Sequence, residues 1–105
     1  MAGREPQLAP DDESRPGVFS LGEWRRIVLE LMLSPRMAQV TGLVVQGMSD
    51  SEIVSILSKE KKISPYTVRD HLEEIRRRLG VATRGQIPCR VFETFRRLYF
   101  PTPQK

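Results

Sequence analysis

Residues 63–81, I-S-P-Y-T-V-R-D-H-L-E-E-I-R-R-R-L-G-V, limit what this chain can fold into more than any other stretch. Ser64 is a good N-cap, and Pro65 suits the first helical position, where its missing N–H would have no intrahelical partner. Val68, Leu72, Ile75 and Leu79 recur at steps of four, three and four, which puts them on one helical face. Gly80 stands where helices commonly end in a left-handed residue. The opposite face carries Tyr66, Arg69, Asp70, Glu73 and Arg77. A core must hold such a helix on one side, leaving the other side open.

The rest of the chain reads as further helices of the same kind. Ser20 and Glu23 have capping-box spacing ahead of an apolar stripe of Trp24, Ile27, Val28, Leu31 and Met32. This predicts an N-terminal helix within residues 18–33 that stops at Leu33, because Pro35 pushes Ser34 out of helical geometry and Ser34 then caps the next helix. Met37, Val40, Leu43 and Val44 belong to that second helix, which ends at Gly47. Ser49-Asp50-Ser51-Glu52 opens a short helix with Ile53, Val54, Ile56 and Leu57, followed by a lysine-rich link. Thr83 caps a last helix from about Arg84 to Tyr99, lined by Ile87, Val91, Phe92, Phe95, Leu98 and Tyr99, with Pro88 near its first turn. Pro101 and Pro103 end it, leaving residues 101–105 as a tail. No strand pattern competes, so the fold class is all-α with five helices.

Charge is distributed unevenly. The net charge is +4 over 105 residues. Residues 1–33 carry four basic and six acidic groups, residues 34–80 eight and six, and residues 81–105 five and one. A basic carboxyl half behind an acidic leader is compatible with a polyanion partner. Residues 1–17, with three prolines, two glycines and Asp11-Asp12-Glu13, show no periodicity and read as a disordered leader. They lack an apolar h-region, no run reaches membrane-span length, and the single Cys89 suits a reducing compartment. The expected setting is cytoplasmic, without a membrane partner.

Two short helices with a glycine between them, then a third with an open amino-terminal half, follow helix-turn-helix order. Here the residues resemble the LuxR-type (GerE) helix-turn-helix domain. Leu33-Ser34-Pro35-Arg36, Val40, Leu43, Gly47-Met48-Ser49-Asp50, Glu52-Ile53, Leu57, Ile63-Ser64, Thr67-Val68-Arg69, His71-Leu72, Ile75, Arg78-Leu79-Gly80-Val81 and Arg84 carry the likeness. It implies a four-helix domain over residues 34–100 with one extra helix in front. It also implies a bacterial transcriptional regulator that binds double-stranded DNA as a homodimer, through a recognition helix at about residues 65–79. Arg69, Asp70 and Glu73 match base-facing positions, and Thr67 matches a backbone contact. Lys61, Lys62, Tyr66, Arg76 and Arg77 complete the expected DNA surface. Ile87, Val91, Phe92 and Phe95 form the expected dimer surface on the fourth helix of the family.

Several positions depart from the family pattern. Met37 replaces a glutamate that pairs with the arginine matched by Arg84, so Arg84 needs another partner or solvent. Thr41 replaces a core leucine. The link from Leu57 to Ile63 is longer by about four residues, which extends the second helix of the motif or loosens the turn. Glu73 puts a carboxylate at a reading position, where it is repelled by phosphate but can accept from cytosine N4.

The alternative reading is a protein-interaction module on the same fold, binding another regulator or the transcription machinery. Trp24 and its helix either cap the core or present a dimer or partner surface. His71 reads as structural, with no metal-ligand spacing around it, and Cys89 as a buried or interface thiol. No catalytic constellation and no cofactor motif is present. A control input would come from another protein or from the N-terminal helix.

Overall fold

A computed structural model describes residues 14–59 and 61–101. Among the described residues the chain is helical and without strands: α1 (Leu21–Leu31), α2 (Pro35–Val45), α3 (Asp50–Leu57), α4 (Pro65–Leu79) and α5 (Gln86–Tyr99).

Local chemistry accounts for most of the boundaries. Ser20 with Glu23 and Ser49 with Glu52 each form a complete capping box at the start of α1 and α3. Ser34 and Ser64 cap α2 and α4, each followed by proline at the first helical position. The carboxyl ends of three helices share one stop. After α1, α2 and α4, the backbone N–H groups of Leu33, Met48 and Val81 reach back to the carbonyls of Val28, Leu43 and Arg76 at 3.0–3.1 Å. The residue before each is left-handed: Met32 (φ 57°), Gly47 (φ 87°) and Gly80 (φ 72°). Glycine takes this geometry freely, whereas Met32 adopts it against its Cβ penalty, and α1 ends at Leu31, two residues before the expected stop at Leu33. Met32 is exposed, so no packing compensates. Met32→Gly is therefore expected to raise stability by about 1 kcal/mol, read from urea unfolding followed by the fluorescence of the single tryptophan.

The start of α5 differs from expectation. Gly85 rather than Thr83 is the N-cap, and it makes no side-chain cap bond. Gln86 substitutes for it, its Oε1 accepting from the N–H groups of Ala82 (2.8 Å) and Thr83 (3.0 Å). Pro88 is then the third helical residue, where no intrahelical donor is lost.

Two apolar clusters hold the helices together. The larger joins α2, α3, α4 and the start of α5 through Val40, Leu43, Ile53, Val68, Leu72, Ile75, Leu79 and Ile87. The α4 stripe expected from spacing is buried in full. The second cluster joins α1 to α5 through Phe19, Trp24, Ile27 and Val91, with Phe95 and Leu98 packed against it. Phe19 stacks on Trp24 (centroids 6.0 Å apart) and meets Phe92 and Phe95 at 5.2 and 5.0 Å. Trp24 thus caps the core, and the partner-surface alternative for its side chain does not hold: it is 2% exposed. Its Nε1 and the Thr41 hydroxyl are buried and find no hydrogen-bond partner among the described residues.

Of the expected leader, residues 1–13 lie outside the described residues. Residues 14–16 pack, contrary to expectation. Ser14 is buried, its carbonyl so close to Gly42 that a Cβ there would lie 1.9 Å from the oxygen. Arg15 Nη1 donates to the Phe19 carbonyl at 2.6 Å. Gly42 is therefore a contact glycine, chosen for the approach of another backbone rather than for its own dihedrals. Residues 102–105 of the expected tail also lie outside the described residues.

Candidate nucleic-acid interface

The candidate surface is built on α3, the connector after it, and α4. The long connector loosens the turn and does not extend the helix: α3 ends at Leu57. Ser58 closes it, its Oγ accepting from the Ile63 N–H (3.3 Å) and lying 3.4 Å from the Ile63 carbonyl. Ile63 packs on the core, so the connector is anchored at both ends. The first turn of α4 is then fixed by Ser64, whose Oγ accepts from the Thr67 N–H at 3.2 Å and lies 3.1 Å from Thr67 Oγ1.

With its apolar stripe buried, α4 turns Tyr66, Arg69, Asp70, Glu73 and Arg77 outward, all exposed. The Arg69 guanidinium lies 5.8 Å from the Tyr66 ring centroid, giving these two side chains a shared platform. Thr67 and Arg76 are half-buried at the edges of this face. Lys61 and Lys62 are exposed on the connector. Between them and α4 is a recess of about 380 Å³ lined by Arg36, Lys61, Lys62, Ile63, Ser64, Thr67 and His71. Burial holds the His71 imidazole below its ordinary 6.5; the Arg36 charge adds to this and Asp70 opposes it. In the sequence, Arg36 stands out only through the family likeness and His71 only as a structural residue. The signal for the recess was the i, i+4 spacing of Thr67 and His71 on one side of α4.

The three arginines at the end of α4 are each engaged. Arg76 Nη1 donates to the Ala82 carbonyl at 3.2 Å, tying the α4–α5 connector. Arg77 pairs with Glu74 at 2.5 Å. Arg78 donates to the Met32 carbonyl, joining α4 to the end of α1. Arg84 finds a substitute for the glutamate that Met37 displaces. It reaches Asp50 Oδ1 with both Nε (3.1 Å) and Nη2 (3.0 Å), and Nη2 also donates to the Met48 carbonyl at 2.7 Å. This clamp ties the start of α3 to the connector before α5. Arg84→Met should lower stability by about 1–2 kcal/mol, and Asp50→Asn by less, because the carbonyl bond survives the second change. Equal losses in thermal unfolding would mean that the carbonyl contact contributes nothing.

The expected dimer surface needs correction. Ile87 and Val91 are fully buried in the chain's own two clusters and have no side chain to offer a partner. Phe95 is half-buried against Phe19, and Phe92 is 42% exposed. Cys89, expected to be buried or in an interface, is exposed.

A short helix, a clamped turn and a longer helix whose amino-terminal face stays open define a helix-turn-helix protein. Residues 31–91 match the family model of bacterial regulatory proteins, luxR family (GerE), which spans more than half of the chain. The chain belongs to this family, and it is a helix-turn-helix DNA-binding transcription regulator. Searches of curated proteins and of solved structures returned no match. No single helix among the described residues is long and apolar enough to cross a membrane.

Proposed function

We propose that the protein regulates transcription by sequence-specific binding of a homodimer, with α4 in the major groove. Arg69, Asp70 and Glu73 read bases, while Lys61, Lys62, Thr67, Tyr66, Arg76 and Arg77 position the phosphate backbone. The observation that carries this reading is the open face of α4 lying beside a recess lined by Arg36, Lys61 and Lys62. Cations flanking a groove-sized helix supply the sequence-independent part of affinity. Arg69 suits guanine O6 and N7, and Asp70 or Glu73 suits cytosine N4. The homodimer surface lies on the open side of α5 at Phe92, where an aromatic ring remains available.

The test is binding of genomic duplex fragments in a salt series, with sedimentation of the bound species. Log affinity should fall linearly with log salt, and a selected site should hold two chains. An affinity indifferent to salt, or no binding at low salt, sinks the reading. In that event the mixed charge of the face, Arg69 and Arg77 against Asp70 and Glu73, would favour a protein partner for the same surface.

A further inference from the structure

We propose that the recess between α2, the α3–α4 connector and α4 seats one phosphate group, and that His71 takes up a proton as the phosphate enters. The inference rests on the DNA reading for the carrier of that phosphate, a diester of the duplex backbone. The recess itself stands on geometry. Arg36 comes from α2, Lys61 and Lys62 from the connector, and Thr67 and His71 from successive turns of α4, all lining one concavity of about 380 Å³. Three permanent cations around one small concavity make it a site for an anion, and the imidazole becomes a fourth cation there only when it is protonated.

The electrostatics set the direction of the coupling. In the free protein burial and Arg36 keep His71 neutral more readily than usual, while Asp70 pulls the other way. Among the described residues, the charged groups turned towards His71 are Arg36, Lys61, Lys62 and Asp70. On α3, Asp50 pairs with Arg84 and Glu52 serves its capping box. A phosphate in the recess neutralises the cations that oppose protonation and accepts a hydrogen bond from the imidazolium. The midpoint of His71 must then rise on binding. By reciprocity, affinity gains fully below the free midpoint and loses that gain as pH climbs through the bound midpoint. Each pH unit between the two midpoints corresponds to at most a tenfold gain in affinity.

His71 is the only histidine in the chain, so its imidazole can be titrated by NMR in the whole protein without ambiguity. The titration is run free, with saturating duplex, and with dimethyl phosphate against sodium chloride of equal ionic strength. The free midpoint should lie below that of a model imidazole. Duplex should raise it by about one pH unit or more, and dimethyl phosphate by less. Arg36→Ala with Lys62→Ala should abolish the rise, and His71→Gln should flatten the pH dependence of duplex affinity while salt dependence persists. If duplex binds and the midpoint does not rise, or if the rise survives the double substitution, the recess is no phosphate seat. If no duplex binds but dimethyl phosphate raises the midpoint, the seat stands and the DNA reading falls. If neither ligand moves the midpoint, the proposal is overturned.

Discussion

Trp24→Ala should lower the stability of the domain by about 3–5 kcal/mol, a drop of more than about 12 °C in the thermal midpoint of a chain this size. The ring is buried between α1, α5 and the Gly42 segment of α2, stacked on Phe19. Its removal leaves a cavity lined by Phe19, Ile27 and Val91 that the surrounding helices cannot close. Because Nε1 donates to no group among the described residues, the loss for Trp24→Phe should be smaller, on the order of 1–2 kcal/mol. Differential scanning calorimetry of both variants decides the matter. Two equal losses would show that the indole N–H, not the volume, is what the site needs. A negligible loss for alanine would show that α1 is not docked in solution.

The second large effect concerns DNA. Arg69→Ala should weaken binding to a selected site by about 1–3 kcal/mol, roughly 5- to 150-fold, and leave binding to random duplex much less changed. Lys62→Ala should weaken both to a similar degree and reduce the salt slope by about one, since a lysine on the connector meets phosphate and not base edges. The contrast between the two variants is the measurement. Equal losses on selected and random duplex for Arg69→Ala would remove it from the reading positions and leave it a backbone contact.

How much of this was legible beforehand follows the range of the interactions. The four serine caps, the two prolines that follow them and the glycines at 47 and 80 act within four residues, and spacing alone located them. The buried stripe of α4 follows equally from period. The end of α1 was misplaced by two residues because a left-handed methionine gives no warning in a sequence, unlike glycine. The apolar residues of α5 were identified as a face, but the face was assigned to a second copy of the chain. Ile87 and Val91 in fact meet α2 and α1 of the same chain. Periodicity reports that a face is apolar and not what covers it. The packed residues 14–16 escape for a related reason: a proline- and glycine-rich segment without period still docks where Gly42 leaves room for the Ser14 carbonyl.

The sequence by itself determined five helices, four of them capped by serine, an apolar stripe and an open face on the fourth, and membership in a helix-turn-helix family. Those properties rest on local hydrogen bonding and on the 3.6-residue period, both written in neighbouring residues. Tertiary structure alone decided that Arg84 would find Asp50 from 34 positions away, and that Arg78 would hold the end of α1 from 46. It also decided that α1 would cover α5, and that Arg36, two lysines and His71 would share one recess. Each of these joins residues from different helices. Only the crossing of those helices, set by the volume of the side chains between them, brings such groups within reach.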